Sequence, residues 1–345
     1  MSPTQIDLLL QHLDTVHGTI EYKSTHISWI ILCPDIVYKI PKPAHLPYLD
    51  FRSLEQRRLY CESEVFLNSR LTDGVYLEVT PVWQLDQAFG IEHPPLAATI
   101  VDYAVKMKRL PEDRLMRIML EKQKVEQHHI SAIANQLAQF HQTNERSLTP
   151  PDIEQLQEDF ADLRSVKSTI NALLHEDAAG QVEEWIYDSR NFLRRHFGRM
   201  QERHQLGFYR EVHGDLHAEN IFLLEEPVIF DCIAFNEDFR NDDLLNELAF
   251  FCMDMDYHRE GPLGHLFLQQ YLQKNPCLET EEDQQIFLYY KLYRANIRLK
   301  VNALKWEQCT AVSDKEKFAR AVKEYYWLIR SYAKLVFRPN GVLSY

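Results

Sequence analysis

The sequence predicts an α+β protein with a small lobe built largely of strands and a larger lobe that is mostly helical. Residues 19–40 contain three strand-like runs, with alternating side chains within Ile36–Ile40, whereas the spacing becomes helical from Pro111 onward. Two short apolar runs, Ile221–Leu224 and Val228–Phe230, flank Glu225-Glu226-Pro227 and predict a tight hairpin within the helical part. The predicted order is therefore strands, then helices, with one hairpin inserted among the helices.

The N-terminal lobe opens with a predicted amphipathic helix over Pro3–Val16. The predicted strands cover residues 19–23, 27–32, 36–40, 75–82 and 100–108. Leu54–Leu71 contains neither Gly nor Pro and is predicted to be a helix. We place the lobe boundary at Arg109–Glu112, so that residues 1–110 form the first lobe and residues 111–345 the second.

The second lobe shows helical spacing on both sides of the hairpin. The predicted helices cover residues 113–124, 131–141, 152–174, 181–203, 242–257, 263–274, 281–305 and 314–337. The chain shows no internal repeat and no low-complexity segment.

Composition excludes several classes of function. The net charge of −13, from 38 basic and 51 acidic side chains, is unsuited to non-specific nucleic-acid binding. The longest apolar runs fall short of the about 18 residues that a membrane span needs, and the N-terminus lacks a signal-peptide pattern. The six cysteines lie far apart and form no C-x-x-C pair. This spacing indicates buried free thiols in a reducing compartment, and neither a disulfide framework nor a zinc site. We therefore expect a cytoplasmic protein without a membrane or nucleic-acid partner.

The stretch that ends in the hairpin, V-H-G-D-L-H-A-E-N-I-F-L-L-E-E-P-V-I-F-D, carries the chemistry. If the strands pair about the middle of the turn, Asn220 falls opposite Asp231, and Asp215 lies five residues before Asn220 in a polar loop. Hard oxygen ligands of this kind suit Mg²⁺, which takes its other ligands from water and phosphates. The pattern therefore indicates phosphoryl transfer, with Asp215 as general base and Asn220 and Asp231 as metal ligands.

Each of these residues also has a structural interpretation: Asp215 as a turn cap, Asn220 as a left-handed turn residue and Asp231 as a strand end. We expect His213 to pack beneath the loop and bond its backbone. His217 faces the site if Asp215 does and could then act in catalysis at the γ-phosphate, while the competing interpretation is a solvent-exposed loop histidine.

A metallohydrolase is a weaker alternative. His213 and His217 have the four-residue spacing of a helical zinc pair. However, the H-E-x-x-H pattern requires Glu where this chain has Gly214, a poor helix former. The zinc content of the purified protein would distinguish the two classes.

A lysine and a glutamate in the first lobe form a second candidate constellation. Lys39 lies in the middle of an apolar strand, where an unpaired ammonium is costly to bury, unless it reaches solvent as an edge or snorkelling lysine. Glu64 lies on a helix face with Cys61 and Asn68 that could turn toward the strands, and Glu62 is its competitor for Lys39. A Lys39–Glu64 pair would hold the ammonium ready for nucleotide phosphates.

The chain lacks the usual phosphate-binding loops. Neither G-x-x-x-x-G-K-[ST] nor a G-x-G-x-x-G between the first strands is present. The turn T-H-I-S occupies the phosphate-covering position, where Thr25 and Ser28 could donate hydrogen bonds.

Two charge patterns in the second lobe favour opposite substrates. Nine acids lie between Asp231 and Glu260, which suits a cationic acceptor, while Lys291, Arg294 and Arg298 share one helical face, which suits an anionic one. Either pattern could also be an ordinary solvated surface.

H-G-D-L-H-A-E-N followed by V-I-F-D resembles the catalytic loop and metal-binding Asp of the aminoglycoside phosphotransferase-like branch of the protein-kinase-like fold. The resemblance continues in V-Y-K, C-E-S-E-V, L-A-Q-F-H and F-N-E-D-F-R-N-D-D-L-L-N-E-L-A-F, and covers about residues 20 to 305. The run from T-H-I-S-W through Y-K-I-P-K-P, with Y-R-A-N-I-R-L-K, is similar to an uncharacterised bacterial subgroup of that family.

The resemblance implies a bilobal kinase fold that binds ATP, or another nucleoside triphosphate, and Mg²⁺ between its lobes. By motif match it carries phosphate contact onto Lys39, with Glu64 as the matched helix glutamate. It places the adenine against the segment of Met107, Lys108 and Leu110. Because the D-F-G glycine is replaced by Ile233 and no A-P-E follows, the resemblance favours a small-molecule hydroxyl as acceptor. The alternatives are a protein kinase and a nucleotide-binding regulatory protein without turnover.

Overall fold

The computed structural model of the protein describes residues 1–46, 49–174 and 177–338. The strands are β1 (Glu21–Ser24), β2 (Ser28–Leu32), β3 (Ile36–Pro41), β4 (His45–Leu46), β5 (Leu49–Asp50), β6 (Tyr76–Leu85), β7 (Ala88–Ile91), β8 (Thr99–Lys108), β9 (Tyr209–Glu211), β10 (Ile221–Leu223), β11 (Pro227–Ile229) and β12 (Asn241–Asp243). The α-helices are α1 (Pro3–His17), α2 (Leu54–Asn68), α3 (Met116–Glu121), α4 (Gln127–Thr143), α5 (Ile153–Ala161), α6 (Lys167–Leu174), α7 (Ala178–Gln205), α8 (Leu244–Tyr257), α9 (Gly261–Lys274), α10 (Glu281–Gln308) and α11 (Val312–Phe337). The predicted order of strands followed by helices is therefore confirmed.

The structure departs from the predicted elements at, among other places, a divided helix and a strand that was not predicted. The single helix predicted over residues 152–174 is divided into α5 and α6 by a 3₁₀ segment, Asp162–Val166. Strand β7 was not predicted because Gly90 interrupts its short apolar run. The structure explains this glycine, since an added Cβ would lie only 2.2 Å from the ring of Trp83.

The chain divides into two compact units that do not follow the predicted boundary at residue 110. The first unit comprises residues 1–125 and 213–240, and the second comprises residues 126–212 and those from 241 onward. The loop that carries Asp215, residues 212–220 and called the catalytic loop after the resemblance, lies with the hairpin almost entirely in the first unit. The physical reason is apolar packing, because Val228 of β11 is buried in the same cluster as Val105 of β8 and Tyr60 of α2.

The first unit is built on an antiparallel sheet with the strand order β1-β2-β3-β8-β6-β7. One face of this sheet, including Trp29, Tyr38 and Ala104, packs against Ile6 and Leu9 of α1. Ser2 caps α1 and Ser53 caps α2, each in a capping box with the Gln three residues later. Because α1 covers one face, the candidate site residues Ser28 and Lys39 lie on the other.

The second unit is mostly helical and contains buried polar networks. Arg203 is fully buried and bonds both oxygens of Asp243 at 2.8 Å, and it also reaches Asp283 at 2.8 Å. His141 lies between the Tyr271 hydroxyl and the Glu247 carboxylate, at 2.8 and 2.7 Å. Among the described residues no helix is both long and apolar enough to cross a membrane.

Candidate active site

Lys39 lies on an interior strand, so it is not the edge lysine of the competing interpretation. In the pairing of β3 with its neighbours, Lys39 is opposite Ile30 of β2 and Val105 of β8. Directly paired residues share a face of the sheet, and so do residues two apart on one strand. Lys39 therefore shares its face with the half-buried apolar side chains of Val37 and Met107.

The ammonium of Lys39 is bonded to two carboxylates. Its Nζ lies 2.6 Å from Glu64 Oε1 and 2.6 Å from Asp231 Oδ1. The side chains of Lys39 and Glu64 are 11% and 1% exposed, whereas that of Asp231 is 44% exposed. The predicted Lys39–Glu64 pair is thus present, and Asp231 of the hairpin joins it.

Burial and charge act against each other in this cluster. Burial opposes the charge on Lys39, but the carboxylates of Asp231 and Glu64 outweigh it and raise the pKa of the lysine well above its ordinary value. Burial raises the pKa of Glu64, an effect that the Lys39 ammonium opposes and the Asp231 charge reinforces. Lys39 therefore stays protonated at neutral pH.

Glu62, the competing partner, points elsewhere. It pairs with Arg58 on the exposed side of α2 at 2.9 Å. Cys61, Glu64 and Asn68 are all fully buried on the opposite side of the helix. The helical spacing noted in the sequence therefore identified the face of α2 that turns inward.

The register predicted for the hairpin is wrong by one residue. Ile221 pairs with Ile229, and the N–H of Phe230 donates to the carbonyl of Asn220 at 3.0 Å, so Asn220 lies opposite Phe230 and not opposite Asp231. Pro227, which was assigned to the turn, is the first residue of β11.

Asp231 lies just beyond the end of β11 and adopts a left-handed backbone, with φ of 61°. This conformation is uncommon for a residue with a Cβ, although Asp tolerates it better than most. It breaks the alternation of side chains along the strand, and the Asp231 carboxylate lies against Lys39. A backbone turn, and not strand register, thus places this carboxylate.

The catalytic loop collects the other predicted residues around Asp215. Nδ2 of Asn220 donates to the backbone oxygen and to Oδ2 of Asp215, both at 3.0 Å. His217 Nε2 lies 3.3 Å from the same Oδ2, and Nδ1 of His217 accepts the N–H of Glu219. Because Nδ1 is an acceptor, the ring proton lies on Nε2 and points at Asp215. His217 is only 4% exposed, so the solvent-exposed interpretation is wrong.

His213 connects the two groups of carboxylates, and it packs beneath the loop as predicted. Its Nδ1 accepts the N–H of Asp215 at 3.3 Å, and its Nε2 donates to the carbonyl of Phe230 at 2.9 Å. The side chain is fully buried. Gly214 follows with φ of +86°, where an added Cβ would lie 2.9 Å from the carbonyl of Phe239. The loop is therefore fixed relative to the residue before Asp231.

The turn between β1 and β2 is closed by its own side chains. The Thr25 hydroxyl accepts the N–H of Ser28 at 2.9 Å and donates to the carbonyl of Ser28 at 3.1 Å. Ser28 pairs with Pro41, which puts it on the same sheet face as Lys39. Its hydroxyl is buried without a hydrogen-bond partner among the described residues.

The predicted adenine-contacting residues lie at the end of β8, which Met107 and Lys108 close, and just beyond it at Leu110. Met107 pairs with Val37 on the Lys39 face and is half-buried, as is Leu110. Lys108 is exposed, and its N–H donates to the carbonyl of Val75 at 2.9 Å. Half-buried apolar side chains near a cationic group suit the flat base and charged tail of a nucleotide. Nucleotide contact by these three residues stays a prediction.

The donor set around the hairpin fits Mg²⁺ and does not fit zinc. Both hydrogen bonds of Asn220 Nδ2 go to Asp215, which leaves the amide oxygen for a cation, and the half-exposed Asp231 supplies a carboxylate. Across the described residues there is no cluster of three or more His, Cys, Asp or Glu side chains suited to a metal. The His213 nitrogens both serve the backbone, so the zinc-pair interpretation loses its first ligand.

The two opposing charge patterns of the second unit pair with each other. Lys291 bonds Asp256 at 2.6 Å, and Arg294 bonds Asn246 at 2.7 Å and Asp242 at 3.2 Å. Burial raises the pKa of Asp242 to about 6, which the Arg294 charge opposes. Two of the nine acids therefore pair with two of the three basic residues, and neither pattern by itself indicates the charge of a substrate.

Two residues that the sequence did not single out as functional hold Asp231 in place. The hydroxyl oxygen of Tyr76 accepts the N–H of Asp231 at 3.1 Å, and Oδ1 of Asn68 accepts the N–H of Cys232 at 2.9 Å. The only sequence signal was the position of Asn68, one helical turn beyond Glu64 on the same face.

Comparison with protein families gives a match over more than half of the chain. The family model described as "Phosphotransferase enzyme family" matches residues 89–282. Uncharacterized proteins of Mycobacterium tuberculosis and Mycobacterium bovis are 28% identical over an alignment of 316 residues that covers 89% of this chain. The chain spans 59% of the length of these curated relatives.

Solved structures resemble the chain over nearly its whole length. A choline/ethanolamine kinase family protein from Mesorhizobium loti is 12% identical, with a TM-score of 0.53 and coverage of 96% of this chain and 94% of the other. A choline kinase from Cryptosporidium parvum is 11% identical, with a TM-score of 0.54 and 96% coverage of each chain. A mutant of aminoglycoside 2′-phosphotransferase-IIIa in complex with GDP is 14% identical, with a TM-score of 0.52 and coverage of 99% and 100%. The predicted α+β protein-kinase-like fold is therefore confirmed.

Proposed function

This chain belongs to the phosphotransferase enzyme family, and we propose that it transfers the γ-phosphoryl group of ATP, or of another nucleoside triphosphate, to a hydroxyl group of a small molecule. One observation supports the proposal above the others. The fold unites a buried lysine–glutamate pair with a carboxylate from the hairpin, and a single histidine ties that hairpin to the loop of a second carboxylate.

In this proposal Lys39 binds the phosphates. The ammonium is charged at neutral pH and is held by Glu64, so little side-chain entropy is lost when a phosphate arrives. The Ser28 hydroxyl on the same sheet face is a further donor, and the half-buried Met107 packs against the base together with the segment of Lys108 and Leu110.

Asn220 and Asp231 are the residues that would hold Mg²⁺. The bound ion would neutralise charge that develops on the phosphates during transfer. Asn220 is oriented for this role by its two bonds to Asp215, and Asp231 is oriented by Lys39 and by its left-handed backbone.

Asp215 is the proposed general base. A carboxylate oxygen of Asp215 accepts the proton of the acceptor hydroxyl while the hydroxyl oxygen attacks the γ-phosphorus, and the bond between that phosphorus and the nucleoside diphosphate breaks, so that the diphosphate leaves. Asn220 and His217 both contact Oδ2, which fixes the plane of the carboxylate. His217 would support catalysis by orienting this base, and contact with the γ-phosphate is its second proposed role.

The test is nucleotide consumption by the purified chain with Mg²⁺ and a panel of acceptors. The names of the solved relatives suggest amino alcohols and aminoglycosides as acceptors, and GTP beside ATP as donor. Asp215→Asn keeps the size of the side chain and removes the base, so we expect turnover to fall by about a hundredfold or more. Turnover that survives this change would refute the role of Asp215. Radiolabel that moves onto protein substrates and not onto small molecules would favour a protein kinase.

A further inference from the structure

Asn68 forms two hydrogen bonds that join separate parts of the candidate site. Its Nδ2 donates to the carbonyl of Glu64 at 2.9 Å, and its Oδ1 accepts the N–H of Cys232 at 2.9 Å. The residue is fully buried, and both polar atoms of its amide are used. One side chain thus connects the helical turn that carries Glu64 with the peptide that follows Asp231.

The segment after β11 depends on bonds from outside itself. The N–H groups of Asp231, Cys232 and Ile233 donate in turn to the Tyr76 hydroxyl, the Asn68 amide oxygen and the carbonyl of His213. These acceptors lie on β6, on α2 and in the catalytic loop. A left-handed residue with a Cβ persists only where the surrounding structure fixes it, and these three bonds do so.

We propose that Asn68 is a positioning residue that sets the separation between Glu64 and Asp231, so that Lys39 bonds both carboxylates and Asp231 stays aimed at the metal–nucleotide complex. This proposal rests on the proposed function of the site. Lys39 reaches each carboxylate at 2.6 Å, and a shift of either by an ångström would break one of these contacts.

The geometry distinguishes this role from ordinary helix stabilisation. A bond from Asn68 Nδ2 to the carbonyl four residues earlier is local to α2 and would serve any helix end. The bond from Oδ1 to Cys232 crosses 164 residues of sequence and touches the segment of Asp231 directly. The second bond therefore carries the proposal, and the experiment must separate it from the first.

Thr72 provides the matched control. Its hydroxyl is buried and donates to the carbonyl of Asn68 at 2.9 Å. Thr72→Val therefore removes a buried hydrogen bond next to Asn68 without changing any bond to the Asp231 segment. Asn68→Leu removes both amide bonds at similar size, and Asn68→Asp keeps an acceptor for Cys232 while losing the donor to Glu64.

The test measures Mn²⁺ binding in the presence of ADP by calorimetry or electron paramagnetic resonance, together with amide hydrogen exchange at Cys232. Asn68→Leu should bind Mn²⁺ about tenfold more weakly, the loss expected for one hydrogen bond, and exchange the Cys232 amide faster. Asn68→Asp should keep the slow exchange at Cys232. Thr72→Val should match wild type in both measurements.

The outcomes separate this inference from the proposed function. If wild type binds Mn²⁺ and ADP while a folded Asn68→Leu binds them equally well, the positioning role is refuted and the function stands. If wild type binds neither ADP nor Mn²⁺, the proposed function falls, and the inference falls with it. If Asn68→Leu does not fold, fast exchange at Cys232 in Asn68→Asp would overturn the inference.

Discussion

Replacing Lys39 by Met tests the electrostatics of the site most directly. Met is an unbranched side chain of similar length to Lys, but it lacks the ammonium that bonds Glu64 and Asp231. Asp231 is nearly half exposed and regains water, whereas Glu64 is buried and cannot. Removing one partner of a buried ion pair costs about 3–5 kcal/mol when the other stays charged. We expect a loss of this order in unfolding free energy at pH 7 in metal-free buffer.

The sign of the pH dependence follows from Glu64. Burial already raises the pKa of Glu64 above the ordinary 4.5, and without Lys39 the pKa rises further. A raised carboxyl pKa adds stability below pH 4.5 that is lost as the pH rises toward the folded-state pKa. Between pH 4.5 and the folded-state pKa of Glu64, the free energy of unfolding of the Met variant should fall by about 1.4 kcal/mol per pH unit. Over the upper part of this pH range the free energy of unfolding of wild type should fall less.

The assay is urea unfolding of wild type and Lys39→Met at half-unit steps from pH 4.5 to 8. The double variant Lys39→Met, Glu64→Gln is the control, because the amide cannot ionise and its stability should not follow this slope. Parallel pH curves for wild type and Lys39→Met would refute the reasoning, since they would show that Glu64 does not depend on Lys39 for its charge.

Three further predictions follow from other contacts. Glu64→Gln should raise the KM for the nucleotide about tenfold in initial-rate assays, while Glu62→Gln on the exposed side of α2 should leave it unchanged; equal KM values would contradict the assignment of partners. His213→Leu removes the hydrogen bonds of the ring to the N–H of Asp215 and to the carbonyl of Phe230. Urea unfolding should therefore show that the free energy of unfolding falls by about 2–4 kcal/mol, and a fall of less than about 1 kcal/mol would contradict this prediction. Burial raises the pKa of Asp242 to about 6, so the stability that its protonated form provides should be lost as the pH rises from 4 to 7. After allowance for the partial exposure of the side chain, the free energy of unfolding of wild type should fall by about 2 kcal/mol relative to that of Asp242→Asn over this range. A difference between the two proteins that stays constant with pH would argue against a buried carboxylate.

Local pattern indicated the Lys39–Glu64 pair but left Glu62, and a solvent-reaching Lys39, as alternatives. Alternation in Ile36–Ile40 identified a strand with a charged residue that needed a partner, and helical spacing put Glu64 on a face with Cys61 and Asn68. Both inferences use periodicity within one element, which the sequence contains in full. The cost of burying an uncompensated ammonium favoured a pair, and the structure decides between the candidates, because Lys39 lies on an interior strand and bonds Glu64 while Glu62 bonds Arg58.

The hairpin register failed because it depended on one assumption about Pro227. The predicted pairing of Asn220 with Asp231 centres the hairpin between Glu225 and Glu226, whereas the observed pairs are centred on Glu225, half a residue earlier. In the structure Pro227 opens β11, where its missing N–H costs no ladder bond, and it pairs with Leu223. A shift of one residue changes the side of the sheet on which a side chain lies, so the prediction that Asn220 opposes Asp231 could not survive it.

The position of Asp231 was beyond sequence reasoning for a different reason. The N–H of Asp231 donates to Tyr76, and the N–H groups of the next two residues donate to Asn68 and His213. The bonds to Tyr76 and Asn68 span 155 and 164 residues of sequence. No periodicity or local motif encodes such contacts, because each depends on how β6, α2 and the catalytic loop pack. An aspartate in the motif is therefore not enough by itself to place its carboxylate beside Lys39. We therefore expect a variant that keeps the residues of the Asp215 loop and the hairpin but loses Asn68 and Tyr76 to fold with Lys39 in the same position and to bind the metal–nucleotide complex poorly.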